Sequence, residues 1–216
     1  MVRLVLWRHG QTDHNVAGRV QGRVDIPLNE AGRAQAASAA PGLAALGPAE
    51  IVSSPLRRAR QTAEALAALT GVDVRVDHGL VERSFGVWEG LGRVRIEEGW
   101  PEQFAVWRAG GDPAGVGVET RGGAAARVGA ALGRIAAAAG ETTVVVVAHG
   151  AAITLGTTRL LGLDSSAWFG LRGLDNCHYA MLGSTGRSPG WRLEHWNSGE
   201  ERAGSGTGGA IGGFLS

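Results

Sequence analysis

The chain has 216 residues, 44% of them apolar, enough to bury one substantial core, and its formal net charge is only +1. That balance speaks against a nucleic-acid-binding or membrane-surface protein, and no apolar stretch approaches the length of a membrane-spanning helix. All 21 basic residues are arginine; without lysine, Schiff-base chemistry and any phosphate loop that needs its lysine are excluded.

Cys177 is the single cysteine. It excludes an intramolecular disulfide and multi-cysteine zinc, and with the lack of a secretory leader it leads us to expect a cytoplasmic protein. Residues 2–8 read as a first strand. Asn29 is a good N-cap for an Ala-rich helix toward Leu46, with Pro41 and Gly42 as candidate breakers. Glu50–Ser53 reads as a second strand, and Ser54-Pro55 as the cap and first turn of a helix from Leu56 to about Leu69. Val72–Val76 is a short strand, and 91–109 holds one or two helices with Trp100, Phe104 and Trp107. A Gly/Pro-rich loop at 110–118 precedes a helix over about 120–139, a Val-rich strand at 142–148 and a helix over roughly 151–162. Tyr179–Leu182 and Trp191–Trp196 close the series as shorter strands. The alternation predicts an α/β fold, a three-layer α/β/α sandwich with a largely parallel central sheet. We expect a single domain over 1–198, with a helical lid segment at about 91–118 and a Gly/Ser-rich tail over 199–216.

Two apolar runs end in His-Gly: Leu4-Val5-Leu6-Trp7-Arg8-His9-Gly10 and Val144-Val145-Val146-Val147-Ala148-His149-Gly150. Ligands of open α/β sheets bind beyond the carboxyl ends of such strands, so the two imidazoles suggest one shared anion site. Taken singly, a histidine at a strand end is an ordinary structural residue. The wider pattern changes that reading. Leu6-Trp7-Arg8-His9-Gly10-Gln11-Thr12-Asp13-His14-Asn15, Gln21-Gly22, the segment Ser53-Ser54-Pro55-Leu56-Arg57-Arg58-Ala59-Arg60-Gln61-Thr62-Ala63, the segment Leu80-Val81-Glu82-Arg83-Ser84-Phe85-Gly86-Val87-Trp88-Glu89-Gly90 and His149-Gly150 follow in order. Together they resemble the signature of the histidine phosphatase superfamily, the phosphoglycerate-mutase-like proteins.

The resemblance implies His9 as the nucleophile that becomes phosphorylated, flanked by Arg8 and Arg58 as phosphate clamps. Asn15, Gln21, Gly22 and Gly150 complete the phosphate cradle. His149 is the electrostatic partner and Glu82 the proton donor to the leaving alkoxide. Elementary chemistry agrees: a neutral imidazole attacks phosphorus, and forked guanidiniums carry the charge that a metal carries elsewhere. Nearby arginines also disfavour the imidazolium. No metal and no cofactor are expected. His14, His78, His178 and His195 lack ligand spacing and read as structural or exposed, and the tryptophans as core residues, with Trp100 and Trp107 set apart because they fall in the segment where the family builds its substrate lid.

Among members of the superfamily, the metabolic mutases carry a longer insertion after the acid loop, which this chain lacks, and that favours hydrolysis. Within the family the chain resembles the actinobacterial glucosyl-3-phosphoglycerate phosphatases in appearance, on Arg8–Asp13, Asn15-Val16, Leu56–Ala59, Trp191–Leu193 and Trp196-Asn197. It departs at Gly117-Val118-Glu119-Thr120, where Val stands in place of a second Gly. The implied partner is a small phosphorylated metabolite, and the likeness also admits a homodimer. Competing readings are a phosphoglycerate mutase, an α-ribazole phosphatase and, from another class, a catalytically silent phosphate- or partner-binding protein.

Overall fold

The computed structural model describes residues 1–199, and their strands form one six-stranded sheet. In chain order the elements are β1 (Arg3–Arg8), α1 (Asp13–Val16), α2 (Glu30–Ala44), β2 (Glu50–Ser53), α3 (Arg57–Thr70) and β3 (Val74–Val76). They continue with α4 (Arg93–Gly99), α5 (Pro101–Arg108), α6 (Arg121–Ala139), β4 (Thr143–Ala148), α7 (Gly150–Leu160), β5 (Tyr179–Ser184) and β6 (Trp191–Ser198). The strand order is β3-β2-β4-β1-β5-β6. The first four of these are mutually parallel, whereas β5 and β6 are antiparallel additions at one edge.

Near-continuous apolar runs suit β1 and β4 because helices cover both faces of the sheet. Side chains alternate across the pleat. Leu4, Leu6, Val144 and Val146 pack with Val128, Leu132 and Ile135 of α6 and with Ala152 and Ile153 of α7. Val5, Trp7, Val145 and Val147 pack on the other face with Ala36, Ala40 and Leu43 of α2 and with Ala59, Ala63 and Leu66 of α3. Each such Val or Leu, fully buried, contributes about 1.5–3 kcal/mol of transfer free energy. A third, smaller cluster joins Val20, Phe85, Trp88, Ile96, Phe104 and Val116, with Trp100 and Trp107 packed against it. It gives α4 and α5 a core of their own.

Two local expectations are corrected, and one short element is added. Pro41 does not break α2, which runs on to Ala44. The ring lies on the exposed side, Ala45 N–H still donates to Pro41 O at 3.0 Å, and the Ala36-Ala40-Leu43 face keeps its burial. Nor do Ser54 and Pro55 open α3: the N-cap is Leu56, without a side-chain bond, and the first turn is capped from outside by Asp25, whose Oδ1 accepts from Arg57 N–H at 2.7 Å. The one-turn helix α1 was not anticipated, because four residues are too few for a periodicity. A Thr12/Asn15 capping box makes it. The expected tail lies, beyond Gly199, outside the described residues. Among the described residues no helix is long and apolar enough to cross a membrane.

Candidate active site

Because β1 and β4 pair in parallel with Arg8 opposite Ala148, the next residue of each strand falls at the same end of the sheet. Those residues are His9 and His149, whose ring centroids lie 5.2 Å apart at 58°. Both are buried, at 2% and 0% exposure. His9 Nδ1 lies 2.7 Å from the carbonyl oxygen of Gly10. A carbonyl only accepts, so Nδ1 carries the proton and donates it, and Nε2 presents a lone pair. His149 Nε2 meets Ser54 Oγ at 2.7 Å, while its Nδ1 is buried without a partner. Ser54, read from sequence as a helix cap, is instead the hydroxyl that holds this imidazole.

Arg8 ends β1 and donates to Leu174 O, and Arg58 sits in the first turn of α3. Arg58 is fully buried, and its Nη1 and Nη2 donate to Val24 O and Gly22 O, both at 2.7 Å. Among the described residues neither arginine has a carboxylate within 4.0 Å, and the Nε of each is buried without a partner. Burial lowers the pKa of Arg58 to about 10, with Glu82 and Asp25 opposing the shift, so it remains cationic at neutral pH. The histidines respond in the other direction. Burial first, then Arg58 and Arg8, hold His9 well below the usual imidazole range; His149 is depressed likewise by burial, Arg58 and His9.

Glu82 reaches the start of α7. Its Oε1 accepts from Ala152 N–H and Arg83 N–H, each at 2.8 Å, and Oε2 accepts from Ala151 N–H at 3.2 Å. The loop that carries it is clamped from behind: Arg127 donates to Gly79 O at 2.9 Å and Val81 O at 2.8 Å and pairs with both carboxylate oxygens of Glu119. Glu119 in turn accepts from Ser84 N–H at 3.2 Å. Asn15 Oδ1 is held by Thr12 N–H at 3.1 Å, and Gln21 Oε1 by the Thr12 hydroxyl at 3.0 Å. Both amides thus anchor through oxygen, and the NH2 groups are the ends available as donors.

Arg8, His9, Asn15, Gln21, Gly22, Arg58, Glu82 and Gly150 all line one cavity of about 580 Å3. His149 adjoins it through the His9 ring. Every residue that the sequence singled out is therefore brought together. What the sequence missed is the rest of the wall: Arg19, Arg83, Arg121, Phe169 and Arg172. They are scattered along the chain and carry no local spacing signal. Trp100 and Trp107 line the small third core rather than the cavity, and from the 91–118 segment Arg93 alone contributes to the cavity wall. Among the described residues no group of three or more His, Cys, Asp or Glu side chains could hold a metal ion.

Two strand-end imidazoles, two arginines whose guanidiniums have no carboxylate partner among the described residues, and a carboxylate form on this α/β sandwich a site whose chemistry suits a phosphoryl group. Residues 4–199 match the family model of the histidine phosphatase superfamily, branch 1, and the chain belongs to that family. Its members act as phosphatases through a phosphohistidine intermediate, and the chain is a phosphoric monoester hydrolase of this kind. It is 40% identical to the glucosyl-3-phosphoglycerate phosphatase of Mycobacterium tuberculosis over 91% of this chain and 94% of that protein. It is 32% identical to phosphoserine phosphatase 1 of Hydrogenobacter thermophilus, covering 84% of this chain and 86% of that one. The solved mycobacterial glucosyl-3-phosphoglycerate phosphatase in complex with VO3 superposes with a TM-score of 0.83 at 39% identity, covering 91% of this chain and 99% of that one.

Proposed function

We propose that the chain hydrolyses a small phosphomonoester, glucosyl-3-phosphoglycerate foremost, without a metal, with His9 as nucleophile and Glu82 as proton carrier. One observation carries the assignment of roles. Buried polar groups are nearly always hydrogen-bonded, yet among the described residues Arg8 Nε, Arg58 Nε and His149 Nδ1, gathered at one end of the sheet, all lack partners. Three such donors around a histidine lone pair suit the oxygens of a phosphoryl group.

In the first half-reaction His9 Nε2 attacks phosphorus, the P–O bond to the alcohol breaks, and the Glu82 carboxyl gives its proton to the departing alkoxide. Arg8 and Arg58 take the charge of the equatorial oxygens. With the Ser54 hydroxyl donating to His149 Nε2, the His149 proton resides on Nδ1 and adds a further donor. In the second half-reaction water gives a proton to the Glu82 carboxylate as its oxygen attacks phosphorus. The P–N bond breaks, and inorganic phosphate and neutral His9 are restored. The NH2 groups of Asn15 and Gln21 and the backbone N–H of Gly150 complete the cradle, with Gly22 holding Arg58 through its carbonyl.

The similarity to glucosyl-3-phosphoglycerate phosphatases along nearly the whole chain supports the choice of substrate. We also place the enzyme in the cytoplasm, in keeping with a lone, buried Cys177. The test is phosphate release from glucosyl-3-phosphoglycerate, 3-phosphoglycerate, phosphoserine and α-ribazole phosphate, with His9→Ala as control. Preference for glucosyl-3-phosphoglycerate, abolished in His9→Ala, is the expected result. Isomerisation of phosphoglycerate without phosphate release would establish a mutase instead, and equal activity of wild type and variant would remove His9 from the mechanism.

A further inference from the structure

Arg8 and Arg58 suffice for one phosphoryl dianion, yet the same cavity is also lined by Arg19, Arg83, Arg93, Arg121 and Arg172, and Glu82 is the one carboxylate among its lining residues. Three of these five are already in ion pairs: Arg83 with Asp112 at 2.8 Å, Arg172 with Asp175 at 3.0 Å and Arg93 with Glu97 at 3.7 Å. Among the described residues the guanidiniums of Arg19 and Arg121 have no carboxylate within 4.0 Å, although the backbone N–H of Arg121 donates to Asp112 Oδ1 at 2.9 Å and Asp112 acts on its guanidinium from farther off. Arg121 is also held in place. Its Nε donates to Ser165 O at 2.7 Å, and its guanidinium carbon lies 4.2 Å from the centroid of the Phe169 ring. Its two terminal nitrogens have no hydrogen-bond partner among the described residues.

Phe169 is 50% exposed on the wall of this arginine-rich cavity, so part of its apolar ring is open to a ligand. Its ring edge is fitted against Gly110, just beyond α5, where a Cβ would come within 2.7 Å of Cζ. Glycine at this position lets the ring stand where it does. The result is a fixed aromatic plane with a forked cation stacked on it, on the same cavity as the phosphoryl site.

We propose that the Arg121–Phe169 stack is the subsite for the alcohol half of the substrate. The Arg121 Nη pair grips a carboxylate, and Phe169 carries the apolar face of a hydroxylated ring. A guanidinium whose Nε is tied down presents its remaining fork at low entropic cost, which suits bidentate recognition of a carboxylate. This inference rests on the phosphomonoesterase reading above and deepens it: the leaving alcohol is both an acid and a glycoside.

The test compares three substrates in the full-length protein: glucosyl-3-phosphoglycerate with acid and ring, 3-phosphoglycerate with the acid alone, and glycerol 3-phosphate with neither. Arg121→Gln is expected to lower kcat/KM about tenfold to a hundredfold, mainly through KM, on the two acids, leaving glycerol 3-phosphate within about twofold. Arg121→Lys should recover part of the loss. Phe169→Ala should cost about tenfold on the glucosylated substrate alone. Equal losses on all three substrates, or none on any, overturn the subsite while the phosphatase reading stands. A wild type that hydrolyses glucosyl-3-phosphoglycerate no better than glycerol 3-phosphate overturns the substrate reading, and the subsite with it.

Discussion

Replacing Gly32 with alanine tests how tightly the position of His9, the proposed nucleophile, depends on backbone packing. Gly32 lies in the first turn of α2, and a Cβ built there would approach Gln11 N to 2.7 Å and the Gln11 carbonyl oxygen more closely still. Real Cβ atoms essentially never come within 3.0 Å of such neighbours. The obstacle is backbone, so no side chain can swing away. Gly10 is pressed from the other side, since a Cβ there would lie 3.0 Å from the Gly32 carbonyl carbon. The loop that follows His9 is further tied to α2 through Asn29 N–H to Gln11 O at 3.1 Å and Gln11 N–H to the Gln35 side chain at 2.9 Å. Helix propensity alone favours alanine over glycine by about 1 kcal/mol. Overpacking costs about 1–3 kcal/mol, and two facing backbones put this site at the upper end. The net expectation is destabilisation of about 2 kcal/mol. For a chain of this size that lowers Tm by about 4–8 °C. Relief of the clash moves the His9 loop by an amount on the order of 1 Å, enough to cost about a hundredfold in kcat/KM. Scanning calorimetry and steady-state phosphate release measure the two effects. Gly42→Ala in the same helix, where an added Cβ meets nothing within 4 Å, is the control and should be neutral or slightly stabilising. A Gly32→Ala protein with wild-type Tm and kcat/KM would refute the reasoning.

Glu82→Gln should slow hydrolysis of alkyl phosphates by about a hundredfold or more while sparing nitrophenyl phosphate, whose leaving group needs no proton. Equal damage to both substrates would deny Glu82 the acid role. His9 and His149 are held neutral well below the ordinary imidazole value of 6.5, so on acidification the unfolded chain takes up protons that the folded chain refuses. Stability should therefore fall as pH drops below about 6.5, and His9→Ala should flatten that slope; a slope unaltered by the substitution would show that His9 does not contribute to it. Exhaustive chelation should leave activity unchanged, because Arg8 and Arg58 supply the cationic charge; loss of activity that zinc or magnesium restores would require a metal-assisted mechanism.

The residues of the proposed site were legible because each belongs to a short, ordered motif that resembles the family's. Arg8-His9-Gly10 ends an apolar strand, Arg58 opens a helix, and His149-Gly150 joins a Val-rich run to the next helix. Failures of the sequence reading lie where side chains choose between near and distant partners. Ser54 could have capped α3, as Ser-Pro often does, but its hydroxyl meets His149 at the end of the neighbouring strand at 2.7 Å and keeps only a long 3.5 Å contact with Leu56 N–H. Pro41 should have interrupted α2, but burial of Ala36, Ala40 and Leu43 against the sheet outweighs one lost hydrogen bond. Arg127 and Glu119 gave no sign that they brace the Glu82 loop, since their meaning exists only after α6 packs beside residues 79–84.

By itself, then, the sequence determined the alternation of strands and helices and the two strand-end imidazoles, because periodicity is encoded within a few residues, and its resemblance to the histidine phosphatases implied the phosphohistidine chemistry. Only the tertiary structure decided which atoms of those residues are free. It tied His9 Nδ1 to Gly10 O so that Nε2 keeps its lone pair, left Arg8 Nε and Arg58 Nε unpartnered, and gathered Arg121 and Phe169 onto the phosphoryl cavity. These are relations between segments far apart in the chain, set by sheet register and helix packing, and no local pattern carries them.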